Sequence, residues 1–312
     1  MLEIIITALL PVIVTLLLGF FAGRRHDFDK DQASILNRMV MLYALPLLLF
    51  SGILSTPLSE IIKNIMVFIW IFIGMVGGFS LVFIISRFMF KSDCRMASLR
   101  AIAIAGPAVP FIGTPVLGVL FPIDADIAIA VGSLVLNLVL VPVSLMFLVK
   151  NTNVVKKSAF SVISESLKNS LIQPVVWAPI LAFIFLLIGF DMPVFLKGSF
   201  VLLGQSTGGV ALFAVGAILY AQKISLSFPV LINTIAKNIL LPLIVLIIMT
   251  ILAIPHVELS LVSVTLAIPT ASIAVIFAVE YKIGEQEMAS TLFLSTVLSV
   301  ITMGGVIWFT GN

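Results

Sequence analysis

The stretch that most constrains this chain is an apolar run interrupted near its middle by prolines and glycines. Residues 103–122 read AIAGPAVPFIGTPVLGVLFP, with three prolines within nine residues. Each proline removes a backbone donor and its ring collides with the preceding turn, so an unbroken α-helix is not expected here. Inside a membrane, non-helical backbone survives only where protein or a water-filled cavity surrounds it. The stretch therefore predicts two half-helices around a break, and the break is a candidate site.

Composition places this run in a polytopic membrane protein. The 312 residues are 61% hydrophobic and only 10% charged, against roughly 25% charged in soluble domains. A membrane-crossing helix needs about 20 apolar residues. The predicted fold is an all-α membrane protein of ten transmembrane helices, which lie near residues 4–22, 39–55, 65–86, 101–121, 127–149, 172–190, 199–221, 229–253, 260–280 and 288–309.

Basic residues are distributed unequally between the predicted loops. The odd-numbered loops hold fourteen Lys and Arg residues, and the even-numbered loops hold two, Lys63 and Lys197. Because cytoplasmic loops are enriched in Lys and Arg, we expect an inner-membrane protein with both termini extracytoplasmic. The net charge of +3 then reflects basic loops beside an anionic leaflet, so the lipid bilayer is an expected partner and nucleic acid is not.

Motifs for catalysis and metal binding are missing from the sequence. Cys94 is the single cysteine, and the two histidines, His26 and His256, fall at loop edges. The chain contains no P-loop, dinucleotide fingerprint or H-E-x-x-H motif. We therefore expect no enzyme activity, no catalytic residue, no cofactor and no metal site.

A faint internal repeat divides the ten spans into five and five. An offset of 162 superimposes Pro107 on Pro269 and Ser133 on Ser295, and it also aligns the spans. Because each half holds an odd number of spans, the second half must lie inverted relative to the first. We predict a first repeat over residues 1–150, a cytoplasmic linker over 151–168 and an inverted second repeat over 169–312, with spans four and nine broken and crossing at mid-membrane.

The two breaks and the polar residues near them form the predicted binding site. At each break a half-helix N-terminus carries about half a positive charge and free N–H donors, and nearby hydroxyls could cap it or bind a ligand. No carboxylate is expected near the midplane, which argues against a cation carrier. The candidate substrate-binding residues are Tyr43, Pro107, Pro110, Thr114, Asn137, Ser206, Thr207, Lys237, Pro269, Thr270, Ser272 and Ser299.

Lys237 is the charge placed deepest in a predicted span. It lies about nine residues inside span eight, or roughly 13 Å at 1.5 Å per residue. Two interpretations stay open: the ammonium bonds carbonyls freed by the broken helices, or it attracts an anionic substrate or carries a coupling proton. Two further polar sites would flank the crossing, Asn137 and the Ser206-Thr207-Gly208-Gly209 run, although interhelical hydrogen bonding is the commoner role of single polar residues in spans.

Five segments, in this order, resemble bacterial members of the auxin efflux carrier family. They read LLPVIVTLLLGFFAGRR, LNRMVMLYALPLLLF, QPVVWAP, STGGVALFAVG and KNILLP, and the resemblance covers essentially the whole chain. It implies inverted five-helix repeats, scaffold and transport bundles each drawn from both halves, and a proline-centred crossing of spans four and nine. It also implies organic-anion substrates: auxin in plant members, and malonate, malate or related carboxylates in the bacterial branch. Plant members place asparagine near the crossing, where span four of this chain has none.

Three functions follow from these observations. The first is a secondary active transporter of a small carboxylate by alternating access, and the second is an exporter of hydrophobic, auxin-like weak acids. The third, from a different class, is a non-transporting membrane scaffold or receptor. The sequence leaves open the substrate, the direction, the coupling ion and the oligomeric state, a homodimer included.

Overall fold

The computed structural model describes residues 2–55, 64–148, 172, 174–190, 192–222 and 224–311. Within these ranges it describes all side chains except those of residues 2–9, 12, 110, 111, 114, 115, 126, 194 and 222. The predicted linker over residues 151–168 and the loop residue Lys63 therefore lie outside the described residues.

The described residues form twelve helices and no β-strand. The helices are α1 (Leu2–Arg24), α2 (Lys30–Leu54), α3 (Ile65–Met89), α4 (Cys94–Ala105), α5 (109–120), α6 (125–148), α7 (Pro174–Leu187), α8 (Val194–Gln222), α9 (Phe228–Ile251), α10 (His256–Ala267), α11 (Ile273–Glu280) and α12 (Glu285–Phe309). Among them α2, α3, α6, α8, α9 and α12 are long and apolar enough to cross a membrane. The all-α prediction is confirmed for this part of the chain, and the ten-span count and the inverted topology stay predictions.

The largest difference between a predicted span boundary and the structure is at the start of span two. The apolar run suggests residue 39, whereas α2 begins at Lys30. Asp29 and Gln32 form a capping box: the Asp29 carboxylate accepts from the Gln32 backbone N–H, and the Gln32 side chain accepts from the Asp29 N–H. Because this pair satisfies orphan donors of the first turn, the helix starts in polar sequence and only later becomes apolar.

Both predicted interruptions are present. Residues 106–108 separate α4 from α5, and residues 268–272 separate α10 from α11. Pro107 lies in the first gap, Pro110 is the second residue of α5, and Pro115 lies in the middle of α5. A proline in a first turn is tolerated because its missing N–H would have no intrahelical partner there. Pro107 therefore marks the break and Pro110 marks the restart, whereas Pro115 follows a π-helical turn inside α5.

Three helices, α2, α6 and α9, contain a five-residue π-helical turn that ends two residues before a proline, and α5 repeats the pattern with the turn Val109–Gly113 before Pro115. In α2, α6 and α9 the residue just before the proline donates its N–H five residues back, as Leu45 does to the Val40 carbonyl. A proline collides with the carbonyl four residues earlier, and the wider π turn makes room for the ring. The turns of these three helices are Val40–Ala44, Leu136–Leu140 and Ala236–Leu240, before Pro46, Pro142 and Pro242. The buried Asn137, Lys237 and Asn238 all lie on these turns.

Helix packing divides the described helices into two bundles. In the first bundle α1 packs along α8, and α2 packs against α7 and α8. In the second bundle, made of α3–α6 and α9–α12, α3 packs against α4 and α6, while α9 packs against α10 and α12. The bundles meet where α1 and α8 contact α12 and where α2 contacts α11.

Close packing of α1 on α8 depends on two glycines. A Cβ at Gly19 would overlap the backbone of Phe213, and a Cβ at Gly216 would overlap the backbone of Leu16. Small residues let membrane helices approach in this way. The other glycines of small-residue pairs that are similarly crowded are Gly23, Gly74, Gly78 and Gly204.

Gly216→Ala is expected to lower the free energy of unfolding by about 1–3 kcal/mol, because the new methyl group must push α1 away from α8. Gly209 on the same helix has no neighbouring atom within 4 Å of an added Cβ. Gly209→Ala should instead stabilise the helix by about 0.5–1 kcal/mol. Thermal unfolding in detergent measures both variants. Equal melting temperatures would show that the close approach does not hold the first bundle together.

Candidate functional site

The two helix breaks cross each other and are joined by backbone hydrogen bonds. Ala108 donates its N–H to the Pro269 carbonyl and Ala271 donates to the Gly106 carbonyl, each at 2.9 Å. The bonds form an isolated antiparallel bridge that pairs Pro107 with Thr270. In such a non-hydrogen-bonded pair the neighbouring residues supply the bonds. A proline is therefore accommodated at the centre of the crossing without leaving a donor unpaired.

Two buried side chains bind the helix carbonyls that the breaks expose. The Thr270 hydroxyl donates to the Ala103 carbonyl of α4 at 2.9 Å. The Lys237 ammonium donates to the Leu266 carbonyl of α10 at 3.1 Å. Both carbonyls belong to the last turns of their helices, where intrahelical donors run out. One carbonyl at each of the two C-terminal helix ends is thus bonded by a neighbouring element.

This arrangement differs from the expected capping of helix N-termini. Ser272 occupies the N-cap position of α11 and makes no side-chain capping bond, and Thr270 bonds α4 rather than α11. A break exposes carbonyls as well as N–H groups. At this crossing the hydroxyl of Thr270 donates to an exposed carbonyl and does not cap an N-terminus.

A chain of hydrogen bonds links α9 to the crossing through α12. Ser295 accepts from the Thr270 N–H at 3.1 Å and donates its hydroxyl to the Asn238 side-chain oxygen at 2.6 Å. Asn238 in turn donates to the Ser295 carbonyl at 2.9 Å and to the Thr302 hydroxyl at 3.3 Å. Sequence reasoning does not select Ser295 as a site residue, although its alignment with Ser133 in the repeat was an available signal.

A small cavity adjoins the crossing where the two bundles meet. Its volume is about 20 Å³, which is room for about one water molecule. Thr207 of α8 is 1% exposed, and its hydroxyl has no hydrogen-bond partner among the described residues. The next residue of α8, Gly208, lines the cavity together with Ala108, Ile112, Leu212, Thr270, Ser272, Leu292 and Thr296.

Several predicted site residues therefore come together, and others do not. Pro107, Pro269 and Thr270 form the crossing, while Ser272 lines the adjoining cavity. Lys237 is not among the residues that line the cavity. Its one described hydrogen bond supports the bracing interpretation, so any effect on a substrate would act through its charge.

The remaining predicted residues lie at varied positions. Ser299 is buried and donates to the carbonyl of Thr296, a cavity residue, at 2.7 Å. Asn137 is buried in the π turn of α6, and Ser206 donates within its own helix to the Leu203 carbonyl.

Tyr43 is 61% exposed and is not brought to the crossing. The side chains of Pro110 and Thr114 lie outside the described residues. Among the residues that the structure describes, no group of three His, Cys, Asp or Glu side chains could hold a metal ion. The chemistry available at the crossing is therefore that of hydroxyls, backbone groups and one ammonium.

Comparison with known protein families identifies the family of this chain. The family model described as membrane transport protein matches residues 4–307. The chain belongs to the membrane transport protein family. This is the auxin efflux carrier family that the sequence segments resemble. Family membership makes the chain a multi-pass membrane transporter, embedded in a lipid bilayer, and the family is not one of enzymes.

Relatives in bacteria and archaea extend over nearly the full length of the chain. The uncharacterized transporter YfdV of Escherichia coli strain K12 is 30% identical over 306 residues, which cover 97% of this chain and 96% of that protein. An uncharacterized transporter of Methanothermobacter thermautotrophicus is 24% identical over 303 residues, which cover 94% of each protein. These relatives support the family and carry no information on the substrate.

Proposed function

We propose that this protein is a secondary active transporter of a small organic anion, such as malonate or malate, that works by alternating access. The observation that carries the proposal is the crossing itself: two interrupted helices bonded backbone to backbone, beside a buried ammonium, at the contact between two bundles. Paired broken helices in inverted repeats are a common way to build a carrier site. Ten spans with both termini extracytoplasmic complete the proposed topology.

The charges near the crossing favour an anion over a cation. The cavity lining contains no carboxylate, and a membrane carrier of cations would need one to hold its ion. Lys237 contributes a positive charge against the end of α10. The N-termini of α5 and α11 begin at the breaks and add partial positive charge. A carboxylate is therefore the ligand that this environment would stabilise.

The size of the cavity supports a mechanism in which the bundles separate. About 20 Å³ does not admit a dicarboxylate, so the structure corresponds to a closed site. Helix α8 of the first bundle supplies one wall, and the second bundle supplies the others. Movement of α8 away from the crossing would open the cavity and present the hydroxyl of Thr207, which now lacks a described partner.

Two polar contacts between the bundles would have to break during such a movement. Lys30 of α2 forms an ion pair with Glu285 of α12 at 2.9 Å. Asn37 of α2 donates to the Ile276 carbonyl of α11 at 3.2 Å. The first contact lies at the beginnings of α2 and α12, which are predicted to face the cytoplasm, and the second lies on α11, the half-helix of span nine on that same predicted side. We infer that they help to close the site on that side.

Flux measurements in proteoliposomes test the proposal. We expect saturable uptake of radiolabelled malonate or malate, and a substrate affinity about 10–100-fold weaker in Thr207→Val, because one hydrogen bond to a charged group is worth about 1.5–3 kcal/mol. Thr250→Val is the matched control, since that exposed hydroxyl donates only to the Leu246 carbonyl of its own helix. Absence of flux of any carboxylate would overturn the proposal.

A second candidate, export of hydrophobic weak acids, is favoured by the apolar side of the cavity. Ala108, Ile112, Leu212 and Leu292 supply much of its lining. In the same assay this candidate predicts that indole-acetate is carried in preference to malonate. A non-transporting scaffold would instead show no flux of either compound, and Pro107→Ala and Pro269→Ala would alter assembly without changing ligand affinity.

A further inference from the structure

A larger cavity lies away from the crossing, between α3, α4 and the beginning of α9. Its volume is about 350 Å³, and it shares no lining residue with the cavity at the crossing. The cavity is lined by four polar residues, Ser86, Ser92, Arg100 and Asn233. The rest of the lining is apolar: Val82, Ile85, Phe90, Ile104, Phe228, Pro229, Ile232, Ala236 and Leu240.

The polar residues are organised around one guanidinium group. Arg100 donates to both carboxylate oxygens of Glu287, from Nε at 2.7 Å and from Nη2 at 3.0 Å. Glu287 also accepts from the Asn233 amide at 2.9 Å. The Arg100 side chain is 15% exposed. This bidentate geometry fixes the plane of the guanidinium, so Arg100 is held in place before any ligand arrives.

Two hydroxyl groups beside Arg100 retain unused donors. Nη1 of Arg100 donates to the Ser92 hydroxyl oxygen at 2.7 Å and to the Ser86 hydroxyl oxygen at 3.4 Å. Because each serine oxygen accepts in these bonds, its hydroxyl proton is not used by Arg100 and can be donated to another group. Within the described part of the chain neither proton has an acceptor. An oxyanion placed at this end of the cavity would accept from both hydroxyls and from the remaining Nη2 proton.

The surroundings of the cavity combine basic charge with lipid-facing surface. Arg87 is exposed and donates to the Ser92 carbonyl at 3.3 Å, and the exposed Lys91 follows in the same loop. Next to the cavity, α3 and α9 present exposed apolar side chains, among them Ile84 and Leu231. The positive-inside prediction places this loop in the cytoplasmic leaflet, which carries the anionic lipids.

We propose that this cavity binds an anionic glycerophospholipid from that leaflet. The phosphate accepts hydrogen bonds from Ser86, Ser92 and Arg100, and an acyl chain lies against the apolar walls formed by α3 and α9. Charge complementarity selects the anionic headgroup, because the Arg100 charge is matched by Glu287, while Arg87 and Lys91 outnumber Asp93 in the adjoining loop. A small carboxylate would leave most of the apolar volume unfilled, so the site is distinct from the proposed substrate site.

Native mass spectrometry of the purified full chain in a neutral detergent tests this site. Phosphatidylglycerol is titrated against phosphatidylcholine of the same acyl chains. We expect tighter binding of phosphatidylglycerol, and about tenfold weaker binding of it to Ser86→Ala/Ser92→Ala. The matched control is Ser34→Ala/Ser80→Ala, two exposed hydroxyls that bond only within their own helices. Arg100 is left intact, because its removal would strand the charge of Glu287.

Three results would overturn the proposal. The first is equal affinity of the wild-type protein for the two lipids, a comparison that needs no variant. The second is unchanged phosphatidylglycerol binding in the serine double variant relative to its control. The third is displacement of the lipid by inorganic phosphate at comparable concentration, which would show an anion site without recognition of acyl chains.

Discussion

Replacing Asn238 with leucine is expected to lower the free energy of unfolding by about 2–4 kcal/mol. The Asn238 amide of α9 donates two hydrogen bonds and accepts one, all with residues of α12. Individual interhelical hydrogen bonds in membrane proteins contribute about 0.6–1.7 kcal/mol, and buried groups left without partners add a further penalty. Loss of Asn238 leaves the Ser295 hydroxyl proton without its acceptor, and Ser295 in turn is the group that binds the Thr270 N–H at the crossing.

Unfolding of the purified protein in mixed micelles measures this loss. Ser299→Ala is the control on the same helix as Ser295, because the Ser299 hydroxyl donates only to the Thr296 carbonyl of its own helix. We expect it to lower stability by only about 0.6 kcal/mol, the average for one hydrogen bond in a membrane protein. Asn238→Leu and Ser295→Ala should be strongly non-additive, since the two residues share their hydrogen bonds. Additive losses from the two substitutions would show that the network is not a unit.

Features that depend on proline chemistry could be predicted from the sequence. A proline removes a donor and collides with the preceding turn wherever it occurs, so the interruption around Pro107 and the weaker one at Pro269 follow from local covalent structure. A proline does not by itself predict a π turn, because Pro11 and Pro179 lie inside α1 and α7 without one, but the same collision accounts for the π turns before Pro46, Pro142 and Pro242. Those turns matter because they carry Asn137, Lys237 and Asn238.

The partners of the buried polar groups could not be predicted in the same way. A helix advances about 100° per residue, at 3.6 residues per turn, so an error of one or two residues in register turns a side chain toward another neighbour. The depth of a residue along a span depends less on such an error in register, and Lys237 is indeed fully buried. Its bond to Leu266, like that of Thr270 to Ala103, depends on how α9, α10 and α4 are arranged in space.

Exposure of Tyr43 illustrates a further limit of sequence reasoning. The residue lies in a predicted span and carries a polar group, which makes an interior position plausible. In the structure it lies on a π turn of α2 and is largely exposed, while its neighbours Val40, Met41 and Ala44 are buried. A π turn changes the angular spacing of side chains, so the periodicity of a regular α-helix assigns the wrong face there.

Lys237→Met is expected to reduce carboxylate flux by at least about tenfold while the protein remains folded. The buried ammonium makes one described hydrogen bond, to the Leu266 carbonyl, and it has no ion pair among the described residues. A lysine at such depth costs on the order of 2.5–3.5 kcal/mol on insertion scales, against about 0.6–1.7 kcal/mol for the hydrogen bond that methionine would remove. The substitution should therefore leave stability unchanged or higher.

The functional loss has an electrostatic cause. An anion that passes the crossing leaves water for an environment in which charges are weakly screened, and a nearby positive charge lowers its free energy there. Loss of about 1.4 kcal/mol of this attraction corresponds to a tenfold loss of affinity. Flux of malonate into proteoliposomes and thermal unfolding should be measured on the same preparations of wild type, Lys237→Met and the control Lys197→Met, an exposed lysine. If Lys237→Met showed unimpaired flux and a lower melting temperature, the role of Lys237 would be structural only, through its hydrogen bond to α10.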